Sequence, residues 1–162
     1  MRLQKTKSKI MSEIAHLRQL FSDAFDGNPW LDVSILKTLD GISAEKAAHK
    51  PDGLNSIWEI TNHLIDWRFH VLRRISGETL PSPEDNYFRP VTETTGIAWA
   101  ETKERLAKSQ EKWLAFLSTM DDAALDGIHL PNGRRHFEHI HGILQHDAYH
   151  LGQIVLMARH IA

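Results

Sequence analysis

His146 and His150 stand four residues apart in the run Gln145-His-Asp-Ala-Tyr-His-Leu-Gly-Gln153, which is helical in pattern. A helix turns about 100° per residue, so an i, i+4 pair is separated by only about 40° around the axis. Both imidazoles can then reach one point in space, which is how a helix offers two nitrogen ligands to one metal ion. A third ligand must come from elsewhere. The best candidate is His63 in Ser56-Ile-Trp-Glu-Ile-Thr-Asn-His-Leu64, inside a second strongly helical segment. Three neutral imidazoles leave an open position on a divalent ion, where water can be activated or a thiol deprotonated. The chain has no cysteine, so a thiol would have to be supplied in trans, and any metal site must use nitrogen and oxygen ligands. Zinc, nickel, iron and copper all accept histidine, so affinity order does not choose among them. Free imidazoles titrate near about 6.5, and metal retention and activity are expected to fall below that pH.

Histidine is also the anomaly of composition. There are 11, and six of them, His129, His136, His139, His141, His146 and His150, lie within 22 residues. Apolar residues recur through this tract at helical spacing, so a simple chelating tail is a poor description. On a helical wheel His139, His146, His150 and Gln153 form a stripe roughly 110–120° from the apolar centre. Glu59, His63, Asp66 and His70 form a similar stripe on the other helix, displaced in the same rotational sense. If the two helices are neighbours, the stripes meet at a groove or an end.

Each of these residues has a plainer role to weigh. His70 and His139 are expected at the surface or in support of the ligands. His16, His49, His129 and His160 are expected in solvent, and His136 and His141 have no partner at helical spacing. Glu59 can be a ligand, but its place three residues after Ser56 favours a capping box. Asp147 points toward the apolar side of its helix and needs a partner, so a structural hydrogen bond is expected. Gln153 can orient a ligand or bond to another helix. Trp58, Trp67 and Trp99 suit core or pocket wall.

These residues need a scaffold, and four long helical patterns supply it, over 8–26, 55–76, 94–119 and 137–160. The first stops at Gly27-Asn28-Pro29, a strong breaker. A shorter piece follows from Trp30 to Leu39, and a one-turn helix over Ser43 to Lys46. Ile57, Ile60, Leu64, Trp67, Val71 and Ile75 carry the second up to Gly77. Pro81, Pro83 and Pro90 make the next stretch a long loop, and such loops tend to be functional or to wrap a neighbour. Leu130-Pro-Asn-Gly-Arg134 is a tight turn that can close a small hairpin from Ile128 to Phe137. With no convincing run of strands, the expected fold is all-α, a four-helix bundle.

At 162 residues the chain is expected to form one domain, 1–162, with ample length for a core. Lys plus Arg is 19 and Asp plus Glu is 21, which removes the electrostatic footprint of a nucleic-acid binder. The basic start, Arg2 to Lys9, is not followed by the apolar region of a secretory signal. No stretch approaches the roughly 20 apolar residues of a membrane span. A cytoplasmic protein is the expectation.

The two helical motifs, together with Asn28-Pro-Trp30 and Leu130-Pro-Asn-Gly-Arg134, resemble the DinB-like superfamily, the damage-inducible group that includes YfiT-type proteins. The resemblance spans almost the whole chain. It implies a four-helix bundle with a three-histidine metal site, which His63, His146 and His150 match. It further implies a homodimer, through helix faces outside the core and aided by Trp30 to Leu39 or the loop at 78–94. Characterised members include metal-dependent transferases and isomerases that use low-molecular-weight thiols such as bacillithiol or mycothiol. The expected function is thus a metal-dependent enzyme acting on a small molecule, with thiol S-transfer ahead of hydrolysis. The alternative is a metal-binding stress-response protein without catalysis.

Overall fold

A computed structural model describes residues 11–160. The order is α1 (Glu13–Phe25), α2 (Ile35–Asp40), α3 (Ala44–Ala48), α4 (Ile57–Ile75), α5 (Gly96–Ser118), a 3-10 turn (Asp122–Asp126), β1 (Ile128–His129), β2 (Arg134–Arg135) and α6 (His136–His160). The protein is predominantly helical. The two strands form only a small antiparallel pair, with Ile128 opposite Arg135 and His129 opposite Arg134. This is the hairpin expected around Leu130 to Arg134, closed at Gly133 in the left-handed region. Among the described residues no helix is long and apolar enough to cross a membrane.

Local chemistry explains where the helices begin. The first long helix was expected from residue 8, of which 8–10 and the basic start lie outside the described residues. Residues 11 and 12 are not helical, because Ser12 is the cap and its side chain accepts from Ala15 N. Asp122 of the 3-10 turn completes that cap, accepting from Glu13 N at 3.1 Å and Ile14 N at 3.0 Å. At α4 the capping box forms as expected. Ser56 Oγ accepts from Glu59 N, and Glu59 accepts from Ser56 N at 2.8 Å. Lys50 closes on the same carboxylate at 2.7 Å. Ser56→Ala should cost about 1 kcal/mol, read as a lower urea midpoint, because the buried Glu59 N–H loses its partner.

α4 packs against both α5 and α6, and α1 against α5 and α6. Their apolar faces fill two clusters. One gathers Ile35, Leu39, Ile57, Leu64, Leu106 and Ile154, and the other Leu17, Phe21, Val71, Trp113, Leu117 and Ile140. Trp58 and Trp99 are core, 5.0 Å apart, with their indole N–H groups given to Thr102 and the Ile42 carbonyl.

Along α4, Arg68 falls between Ile65 of the first cluster and Val71 of the second, and it is fully buried. It grips Asp147 of α6 with two nitrogens, the shorter contact 2.7 Å, and gives a third to Gln110 of α5 at 2.9 Å. Gln110 passes the connection to the Phe21 carbonyl of α1. One cation thus ties all four long helices. Asp147 has the structural partner its position demanded. Burial pushes its carboxyl up from the ordinary value, and the Arg68 charge opposes that.

Candidate metal centre

Ile57, Ile60 and Leu64 of α4 share a cluster with Leu151 and Ile154 of α6, and Val71 and Ile75 share the other with Ile140 and Ile143, so α4 and α6 run antiparallel along their contact. The structure brings the three histidines together. One ring nitrogen from each falls within 4.8 Å of the others, a grouping that could hold a metal ion. His63 and His150 are buried, and His146 is partly so. The Nε2 atoms of His63 and His146 are 2.9 Å apart.

Two hydrogen bonds set the tautomers. His63 Nδ1 is 2.7 Å from the Asn86 carbonyl oxygen, which can only accept, so Nδ1 carries the proton. His150 Nδ1 is likewise 2.7 Å from Gln153 Oε1. Each ring therefore turns a bare Nε2 inward, the form a cation requires. Gln153 serves a neighbour on its own helix rather than another helix, and Tyr149 OH holds its amide nitrogen at 3.1 Å. His146 differs, because its buried Nδ1 has no partner among the described residues.

Burial decides the charge of the three rings. It lowers His63 to about 4, against the opposing bond to Asn86. It lowers His146 to about 3, helped by the nearby His150, His63 and Arg68. His150 is lowered as well, chiefly by burial. All three are neutral donors at neutral pH, and the expected acid limit moves well below the free-imidazole value. In the metal-free protein the unfolded chain takes up these protons first. Stability is therefore full above about pH 6.5 and declines as pH falls toward the folded-state values. Urea midpoints between pH 7 and pH 4 should show a loss on the order of 1 kcal/mol from each of His63 and His146, discounted for solvent screening. A flat profile would contradict the assigned burial.

The loop after α4 completes the site, and sequence reasoning missed how. Asn86 and Tyr87 both sit in the left-handed region, with φ of 48° and 62°. Asparagine tolerates this better than most residues, and the bend points the Asn86 carbonyl at His63. The Asn86 side chain also accepts from Trp67 Nε1 at 3.0 Å. Phe88 then stacks on His63, with ring centroids 4.0 Å apart and planes 9° from parallel. The only signals in the sequence were the length of the loop and its prolines.

Other histidines fall elsewhere. His70 is buried rather than at the surface, with Nδ1 2.7 Å from Tyr87 OH. His129 is also buried, contrary to expectation, because the hairpin folds its ring edge-on to His139 at 5.5 Å. His139 is buried too and lines the cleft without joining the three. His136 bonds to the Ala124 carbonyl, and His141 packs on Phe137. His16, His49 and His160 are exposed as expected. Glu59 is occupied by its cap. Asp66 turns away from His63, to within 3.8 Å of Arg89 and Arg105.

The three histidines line a cleft of about 880 Å³ whose walls include Trp67, Phe88, Ile143 and Tyr149. A donor cluster with this much room beside it can bind a cation and a small molecule together. Compared with known proteins, the chain matches a family model described as the DinB superfamily over residues 34–154, more than half its length. No curated protein and no solved structure matches it.

Proposed function

The chain belongs to the DinB superfamily, and from that premise we propose that it is a metal-dependent enzyme acting on a small molecule, with His63, His146 and His150 as the ligands. The observation that carries this reading is the inward convergence of the three histidines at the wall of an open cleft. The donor set fits a divalent ion such as zinc, nickel or iron, since two of the three rings are fixed as Nδ1–H tautomers with Nε2 free. Such an ion would supply Lewis acidity that favours the deprotonated form of a thiol or a water.

The protein's own residues do the rest. Asn86 and Gln153 hold two ligands in orientation. Phe88 and Trp67 shield the His63 ring from solvent. The cleft has volume for a cosubstrate beside the substrate, and with no cysteine in the chain the thiol comes from outside. S-transfer from a low-molecular-weight thiol to an electrophile is placed ahead of hydrolysis because the resemblance to thiol-dependent members of the superfamily implies it. A metal-binding stress-response role without catalysis is less well supported, because the group among the described residues has three members and faces a cleft rather than a fourth donor.

Elemental analysis of the purified protein should find about one divalent ion per chain. Thiol-transfer assays with a panel of electrophiles should then show turnover that a chelator removes. A fully metallated protein inert toward thiols and simple esters would transfer the weight to metal binding without catalysis.

The same reading takes the four long helices as a four-helix bundle and the protein as a cytoplasmic homodimer. Trp30 and Leu31 are both exposed, in the segment expected to aid association. Light scattering at micromolar concentration should give the dimer mass, and a monomer mass would remove this part.

A further inference from the structure

The cleft has a second chemical feature, at the end away from the three histidines. Arg74 of α4 and Arg134 of β2 both line it, beside the buried His139. Elsewhere in the same stretch of chain, Arg68, Arg73, Arg89, Arg105 and Arg135 each sit within ion-pair distance of a carboxylate. Arg74 and Arg134 have no such partner among the described residues. Arg74 gives Nη2 to the Leu80 carbonyl and Ser82 Oγ, both at 3.1 Å and both uncharged. Its guanidinium leans back along α4 over the Trp67 ring, 5.7 Å from the centroid. A half-buried guanidinium without a counter-charge is costly unless something anionic arrives to meet it.

Positive charge at this end registers on its neighbours. His139 is pushed down by burial and then by His129, Arg74 and Arg134. Glu138 shares the wall, but it is engaged by the Arg135 backbone N–H at 2.9 Å. Two arginines against one carboxylate leave about one positive charge, which suits a monoanionic carboxylate better than a dianionic phosphate.

We infer that Arg74 and Arg134 form an anion subsite for the carboxylate of an amphipathic small-molecule substrate, whose other end reaches the three histidines. The inference rests on the reading of this cleft as an active site and deepens it. Geometry sets the size of the molecule. His139 and His146 are seven residues apart on α6, about 10 Å along the axis. The wall between is apolar and aromatic, with Trp67 and Ile143 among its residues. The substrate is thus a molecule that spans about 10 Å between its carboxylate and its reacting atom, with an apolar body between them.

The test is calorimetric binding of 4-phenylbutyrate, its uncharged amide, and phenylphosphonate to the full chain. Binding is measured as purified, after chelation, and in Arg74→Gln and Arg134→Gln variants. The carboxylate should bind at least 10-fold more tightly than the amide and more tightly than the phosphonate. Each arginine substitution should weaken it several-fold, whereas chelation should leave it within about twofold. Equal binding of carboxylate and amide would overturn the inference, as would indifference to both arginine substitutions. Tighter phosphonate binding would overturn the choice of carboxylate. Loss of binding on chelation alone would place the carboxylate at the metal, ending the subsite while leaving the metal reading intact. Arginine-dependent binding by a protein that never holds metal would do the reverse.

Discussion

Asp147→Ala should cost about 3–5 kcal/mol of folding stability, the largest loss expected from any single substitution outside the apolar core. The carboxylate receives two nitrogens of a guanidinium that is itself fully buried. Without it Arg68 keeps its charge, its solvent stays excluded, and Gln110 and Ser109 supply only neutral acceptors. The penalty comes from the stranded cation and not from the worth of the pair, which a well-packed apolar replacement of both residues could match. Asp147→Asn should fall between the parent and the alanine variant, because the amide keeps the volume and one acceptor. Combining Asp147→Leu with Arg68→Met should recover a large part of the loss. Urea unfolding of metal-free protein reads all of these. A shift below about 1 kcal/mol for Asp147→Ala would show that water reaches the guanidinium. Folded Asp147→Asn protein should keep its metal and its rate far better than its stability, since the carboxylate contacts none of the three proposed ligands.

His150→Ala should have the largest effect on function. Two histidines on a divalent ion bind far more weakly than three, so the variant should be purified without metal and lose at least 100-fold in turnover. Its helical content should be unchanged, because His150 lines the cleft and not the apolar clusters. Gln153→Ala should lie between, with metal affinity reduced 10- to 100-fold as the His150 ring loses the bond that fixes its tautomer. Metal content, circular dichroism and turnover on the same preparations separate these outcomes. Full turnover by His150→Ala would exclude the three histidines as the catalytic centre.

The long helices were legible because their signals are local. The 3–4 spacing of apolar residues, the Ser56–Glu59 box and the break at Gly27-Asn28-Pro29 all act within a few residues. His146 and His150 were legible for the same reason, and His63 entered as the best partner on a second helix. What escaped was non-local. Asn86 reaches His63 from 23 residues away in a segment with no period. A wheel shows that Asp147 needs a partner but not that Arg68 is it, because the choice depends on which faces α4 and α6 turn to each other. His129 is exposed on any reading of a two-residue strand, and only the fold of the hairpin onto His139 buries it. The low proton affinity of the three rings is likewise a property of packing, invisible until their burial is known.

Asp147 stands between His146 and His150 in sequence, and this has a mechanical consequence. A rotation of α6 by one residue, about 100°, would carry both imidazoles out of the cleft. The same rotation would tear the carboxylate from Arg68, so the helix is keyed to one angular setting at the level of its two histidines. Precision at the centre therefore comes from a lock about 80° around the same helical turn. Part of the cleft wall, by contrast, carries no such key. Leu156 is exposed on it and stands outside both the Arg68–Asp147 lock and the Tyr149–Gln153–His150 contacts. Selection for a new substrate is free to redraw that part of the wall while the bearing of the histidines stays fixed.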